Sequence, residues 1–259
     1  LSSRGFAIRP FFDEQYLFMR ESSPIQPLIV LYEDEWMIAV DKPAGQMVHP
    51  ADVPSEGDQV TMKILRDQIG GYVYPIHRLD RPTTGVLLFA KDPSSAALLQ
   101  QALERREFSK TYLAVVHGAP PADNWEYEEP LRKTETAVLK DAHTSFRTMR
   151  SVSHVRLSTL EEENAVLSLI EAIPHTGRYH QIRRHLLHCG IPIAGDYRYA
   201  GISESDALGE LLGTGTRMLL QAKNLTITHP FTEEKFSISV PTDRLILQCF
   251  PDVRGLIEC

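Results

Sequence analysis

The stretch Pro75-Ile76-His77-Arg78-Leu79-Asp80-Arg81-Pro82-Thr83-Thr84-Gly85 runs without a spacer into the apolar segment 86–89, and the rest of the chain is read outward from it. Two arginines flank one carboxylate, and prolines and a glycine punctuate the backbone. Nearby cations favour the charged form of an acid, so Asp80 reads as an ionised carboxylate on a loop that feeds a strand. Surface ion pairs among Arg78, Asp80 and Arg81 would use the same charges with little gain in stability. Taken alone, the stretch leaves the structural and functional readings level.

Upstream, residues 29–31 read as a strand and 36–40 as its hairpin partner across the acidic turn Glu33-Asp34-Glu35. Asp41-Lys42-Pro43-Ala44-Gly45 breaks that pattern, and Val48-His49-Pro50 closes a loop. Met62, Leu65 and Ile69 then recur near helical spacing, which predicts a short amphipathic helix ending at Gly70-Gly71.

Downstream, Asp92-Pro93 starts a helix that runs to about Arg106, with the aspartate as cap and the proline at the first helical position. Residues 108–116 read as a strand with Phe108, Lys110, Tyr112 and Ala114 on one face. A lysine and a tyrosine on one face suit a cleft, but packing alone also explains a strand tyrosine. Residues 120–129 read as a surface excursion, 134–139 and 145–149 as short strands, Glu161-Glu162-Glu163-Asn164 as a charged turn and 165–172 as a central strand. After Pro174-His175-Thr176-Gly177, residues 178–188 have helical character, with Arg183 at the edge of the stripe made by Ile182 and Leu186. There its stem can pack while its head reaches inward. Residues 200–216 read as a loop with a short helix at 207–212, followed by strands at 218–220, 225–228 and 236–240.

Several hairpin-like pairs around one or two helices predict an α+β (mixed α/β) fold with a largely antiparallel mixed sheet flanked by helices and loops, not a doubly wound one. The aromatics Phe6, Phe11, Phe12, Tyr16 and Phe18 make residues 1–26 an extension expected to pack on a single domain spanning 27–259. Cys189, Cys249 and Cys259 are odd in number and read as reduced thiols. No run of about 18 apolar residues argues for a membrane span, and the first residues lack a signal-peptide pattern, so cytoplasmic residence is expected. A net charge of −7 argues against a general nucleic-acid coat. Locally the balance reverses: residues 172–195 hold no Asp or Glu, yet carry Arg178, Arg183, Arg184 and four histidines.

The stretch around Asp80 closely resembles the His-Arg-Leu-Asp motif of the pseudouridine synthases, the family that modifies uridines in bacterial tRNA and ribosomal RNA. Lys42, Pro43, Gly45 and His49 match that family's opening turn, segment 109–118 its tyrosine motif, and segment 176–186 its arginine motif. The likeness runs from Leu31 to about Pro241, with two departures: Gln221-Ala222 where relatives often carry His-Ala, and Thr83-Thr84-Gly85 in place of Thr-Ser-Gly.

The resemblance implies that Asp80, Tyr112 and Arg183 are the catalytic residues. It also makes Arg78, Lys42, Lys110, Arg178, His180 and Arg184 candidate RNA contacts. Pseudouridine formation breaks the N-glycosidic bond and joins C1′ to C5 of the same uracil, so no cofactor or metal is expected. Asp80 would attack C1′, remove the C2′ proton, or attack C6, and the sequence leaves these open. The expected partner is RNA, tRNA in particular, with no protein partner inferred. The compact form is similar to the branch acting on the tRNA acceptor stem, which makes uridine 65 the expected target.

Four rival readings stand beside this one. They are a ribosomal-RNA pseudouridine synthase, a catalytically inactive RNA-binding protein of the same fold, a hydrolase using Asp80 and His77, and a zinc site built from His180, His185 and His188.

Overall fold

The computed structural model describes residues 26–50, 58–153 and 166–253. The amino-terminal extension, apart from Gln26, and the turn at Glu161-Asn164 lie outside the described residues.

A single ten-stranded sheet spans the described chain. Its first strands are β1 (Ile29–Glu33) and β2 (Met37–Lys42), followed by helix α1 (Thr61–Ile69). Next come β3 (Tyr74–Pro75), β4 (Thr84–Ala90), helix α2 (Pro93–Glu104) and β5 (Ser109–His117). The chain continues through β6 (Asn124–Tyr127), β7 (Thr144–Ser153), β8 (Val166–Pro174) and helix α3 (Gln181–His188). Helix α4 (Ile202–Leu212), β9 (Leu220–Thr228), β10 (Lys235–Ser239) and helix α5 (Arg244–Cys249) complete it.

The strand order is β1-β2-β4-β9-β5-β8-β7-β6, with β3 added to β4 and β10 to β9. Every pairing is antiparallel except the two-residue contact of β4 with β9. The expected mixed, largely antiparallel sheet is therefore what forms.

Both faces of the central strands are covered, which is why β2 and β4 are buried along their whole length. Strand alternation sorts their side chains. Leu87 and Phe89 of β4 join Tyr112, Ala114 and Val116 of β5 in a core closed by Leu65 of α1 and by Ile182 and Leu186 of α3. Val86 and Leu88 face the other way, against Leu99 and Ala102 of α2. Leu113 and Val115 of β5 meet Leu208 and Leu212 of α4 and Ile246 of α5. The first of these faces carries the site.

Strand β9 is the seam of the molecule. Its first residues pair in parallel with β4 (Thr84 with Gln221, Gly85 with Ala222), while β10 takes the same edge further along and β5 takes the other edge. Gly85 has φ 109°, and a Cβ there would lie 2.1 Å from the Ala222 carbonyl oxygen. Only glycine permits that approach. Gln221, in one of the two departures from the motif pattern, is buried at the seam and ties it to the segment after β10: its Nε2 donates to Pro241 O at 2.9 Å and its Oε1 accepts from Asp243 N at 3.0 Å.

Local readings fare unevenly. The predicted cap of α2 forms, with the Asp92 carboxylate accepting from Ser94 N and Ser95 N. Segment 134–139 is not a strand; it is a turn region closed by the bridge between Leu131 and Lys140. The supposed excursion at 120–129 contains β6, an edge strand whose Trp125 stacks on Phe146 of β7 at 5.0 Å. Segments 218–220 and 225–228 belong to one region whose regular strand is β9, and α4 begins at Ile202 instead of 207. Among the described residues, no helix is long and apolar enough to cross a membrane.

Candidate active site

The Asp80 loop is held by the turn that precedes it in sequence by some forty residues. The Lys42 ammonium donates to three carbonyls: Pro43 O at 2.9 Å, Arg81 O at 3.1 Å and Thr83 O at 2.8 Å. Gly45 N donates to Arg81 O at 2.8 Å, and Arg81 Nε returns a bond to Gly45 O at 2.9 Å. Within the loop, Thr83 N donates to Asp80 O at 3.0 Å. From the other side Leu88 N donates to Nε2 of His77 at 3.2 Å, tying the loop to β4.

Lys42 is completely buried, so the expected RNA contact is corrected to an internal clamp. Burial lowers its ammonium to about 7 despite the opposing pull of Asp80 and Asp41. Three carbonyl acceptors call for three N–H donors, so the charged form is the one that completes the clamp. His77 is also buried, which depresses its pKa to about 3. Its ring is neutral and its Nε2 is occupied by backbone, which removes the base that a hydrolase reading needs.

On this support Asp80 meets Arg183 from α3, with Nη1 3.0 Å from Oδ2. The same guanidinium grips Asp196 with two bonds, Nε to Oδ2 at 2.7 Å and Nη2 to Oδ1 at 2.8 Å. Arg183 and Asp196 are 5% and 1% exposed, whereas the Asp80 side chain keeps 26% of its surface. Burial works against the Arg183 charge, and the bonds and charges of Asp196 and Asp80 outweigh it. A rigid fork thus hands one carboxylate to the solvent side while a buried second carboxylate holds the fork. Gly195, at φ 76°, makes the turn that presents Asp196, and a Cβ there would lie 2.1 Å from Arg217 O.

His180 completes the rim. It lies just before α3 in the left-handed region at φ 53°, with Nε2 3.8 Å from Asp80 Oδ1 and Nδ1 2.9 Å from the Tyr199 hydroxyl. Burial lowers its pKa more than Asp80 raises it. Tyr199 also offers its ring to Arg183, 5.0 Å from centroid to Cζ. Tyr112 comes up from β5, where it pairs with Ala222 of β9 and Ala172 of β8, and is 8% exposed. Burial, then the charge of Asp80, raises its phenol, so the hydroxyl is neutral near pH 7.

The expected residues therefore separate. Asp80, Tyr112, Arg183 and His180 are brought to one place. Arg78 is exposed on the loop, and Lys110 is half-buried with a pKa lowered by burial. Arg178 Nε donates to Asp141 O and Arg184 Nη1 to Arg132 O, both at 2.8 Å, which ties the β6–β7 connection to α3. Among the described residues neither guanidinium meets a carboxylate. Asp196 and Tyr199 were not singled out in sequence, where Gly195-Asp196 reads only as a turn. The three histidines of the zinc reading diverge: His185 bonds Thr144 at 3.0 Å, His188 bonds Glu129 at 2.8 Å and His180 faces Asp80.

The family of RNA pseudouridylate synthases matches residues 36–188 of this chain. The tRNA pseudouridine synthase C of Pasteurella multocida (strain Pm70) is 39% identical over 84% of this chain and 92% of its own length. That of Haemophilus influenzae is 37% identical over 83% and 93%. Among solved structures, human RNA pseudouridylate synthase domain containing 1 superposes with a TM-score of 0.67 at 22% identity, covering 86% of each chain, a likeness of fold. The chain belongs to the RNA pseudouridine synthases. Within them it falls in the branch of tRNA pseudouridine synthase C.

Proposed function

We propose that this protein converts a uridine of tRNA to pseudouridine, with Asp80 as nucleophile or base, Arg183 holding Asp80, and Tyr112 beneath the base. The observation that carries the reading is the Asp80–Arg183–Asp196 chain of charge, which anchors one half-open carboxylate on a loop clamped from both sides.

Isomerisation requires C1′–N1 to break, C1′–C5 to form, and the C5 proton to be exchanged for one at N1. A fixed carboxylate suits either attack at C1′ or removal of the C2′ proton. Alignment by the Arg183 fork supplies the orientation on which such a step depends. Tyr112 supplies a flat, buried ring for the uracil, and its neutral hydroxyl makes stacking its primary role.

The uridine has to leave its helix, at a cost of a few kcal/mol that RNA contacts must offset. Arg78, Lys110, Arg178 and Arg184 are the cations proposed to meet the RNA backbone. Relatives named tRNA pseudouridine synthase C favour tRNA over ribosomal RNA, and uridine 65 of the acceptor stem is the proposed target. The reaction then takes place in the cytoplasm, where tRNA matures.

Incubating the protein with unmodified tRNA and ribosomal RNA pools, each tritiated at uracil C5, tests the substrate class. Tritium release from tRNA alone is expected, with the product mapping to uridine 65. Release from ribosomal RNA alone would transfer the same chemistry to the rival substrate. Binding of both pools without release would favour the inactive RNA-binding reading.

A further inference from the structure

Tyr179 is a large aromatic residue, 39% exposed, next in sequence to His180, and the proposed reaction gives it no role. Its ring stacks on His180 with centroids 3.7 Å apart and planes 20° from parallel. Neighbouring residues in a strand or helix point in different directions, so this stack depends on the left-handed backbone of His180 at φ 53°. Non-glycine residues held in that region cluster at functional sites, where the surrounding structure supports the strain. Here His180 is held by Tyr199 on one ring nitrogen and faces Asp80 with the other.

Arg198 approaches from the turn after Asp196. Its Cζ lies 5.9 Å from the Tyr179 ring and 5.9 Å from the Tyr199 ring, and its side chain is exposed. Among the described residues the guanidinium meets ring faces at cation–π distance. The result is an exposed flat ring with a cation at its side, one stacked ring away from Asp80.

Extracting a uridine from a stacked strand leaves the next base without a neighbour on one face. Exposed aromatic rings beside arginine are what single-stranded nucleotides stack on, and the contact tolerates any base because every base has a π-face. We infer that Tyr179 and Arg198 form a second nucleotide subsite, in which Tyr179 stacks the base next to the extracted uridine and Arg198 takes its phosphate. This rests on the proposed reaction, because the adjacent base is exposed only when a uridine is drawn into the Asp80 pocket.

The test uses a tRNA transcript with 2-aminopurine substituted next to the target, in parallel with steady-state kinetics on unsubstituted tRNA. Stacking quenches the probe when the RNA is bound to Asp80→Asn protein, so the subsite is read without turnover. Tyr179→Ala is expected to abolish the quench and to raise KM about 5- to 150-fold, the span measured for losing one aromatic–base stack, with kcat within about twofold. Tyr179→Phe and Tyr179→Trp should keep both, and Arg198→Ala should raise KM and steepen no other parameter.

A Tyr179→Ala protein with unchanged KM and quench would overturn the subsite. So would a fall in kcat at constant KM, which would reduce Tyr179 to packing for His180, or a Tyr179→Phe protein as impaired as Tyr179→Ala. Quenching by a wild-type chain that isomerises no RNA would sink the functional reading and leave the subsite standing. Isomerisation by wild-type and Tyr179→Ala proteins alike, at equal KM, would do the reverse.

Discussion

Arg183 carries one positive charge between two carboxylates, and the buried one, Asp196, decides where the guanidinium sits. Removing one partner of a buried pair leaves the other charge uncompensated, at a cost of roughly 3–5 kcal/mol. Asp196→Ala should therefore lose about that much stability in urea unfolding. Asp196→Asn, which keeps one acceptor for the fork, should stay folded and lose kcat by about 100-fold, the scale of a misplaced catalytic group. Wild-type kcat in Asp196→Asn would show that Asp196 does not position Arg183.

His77 supplies a pH dependence. Its folded pKa is depressed to about 3, below the ordinary value, so on acidification the unfolded chain takes up a proton that the folded chain refuses. The stability it contributes is complete above the ordinary histidine range and is lost as pH falls through about 6.5 toward 3. From this residue alone, urea unfolding at pH 5 should report about 2 kcal/mol less than at pH 7. His77→Gln should flatten that slope; an unchanged slope would place the titration elsewhere. Asp80, Tyr112 and Arg183 were legible as candidates only through the likeness of their segments to the family's three motifs, since the charges around Asp80 alone suit surface ion pairs equally well. The surroundings that define them were not: nothing near Lys42 in sequence says that its partners are carbonyls of residues 81 and 83, and Asp196 is a lone carboxylate after a glycine.

Among elements, the β4–β9 seam is the most constrained. Gly85→Ala would combine a φ of 109° with a Cβ 2.1 Å from backbone, where no flexible side chain can yield. A loss of roughly 3 kcal/mol or more is expected, from strain together with displacement of the strand that follows Asp80. Thermal unfolding and tritium release should fall together. A stable Gly85→Ala protein with full activity would mean that β4 and β9 do not approach in this way. The β1–β2 hairpin was legible because its two segments are neighbours with matching alternation. The parallel seam joins residues 84–85 to 221–222, a contact set by packing of the whole sheet, and no local pattern announces it. The helix predicted from 178 begins instead at Gln181, because His180 takes a left-handed turn whose reason lies in Asp80 and Tyr199. Strand β6 was missed because two of its four residues are exposed polar groups and its support comes from a stack on β7.

At the scale of the molecule, a net charge of −7 has to be reconciled with an RNA substrate. Phosphate binding follows local charge, and the cations proposed to carry it are Arg78 on the Asp80 loop, Lys110 on β5, Arg178 before α3, Arg184 on α3 and Arg198 after Asp196. tRNA affinity should therefore fall linearly with salt on logarithmic axes, by roughly 0.9 per phosphate neutralised. Arg78→Ala should shallow that slope by about one unit in filter binding, and an unchanged slope would remove Arg78 from the interface. Whether Asp80 carries the reaction is decided by single-turnover conversion of one unmodified tRNA transcript by wild-type protein and by Asp80→Asn. Complete conversion by the wild type is expected, with tRNA binding but no detectable pseudouridine for the variant. Pseudouridine formed by Asp80→Asn at a rate near the wild type's would contradict that role.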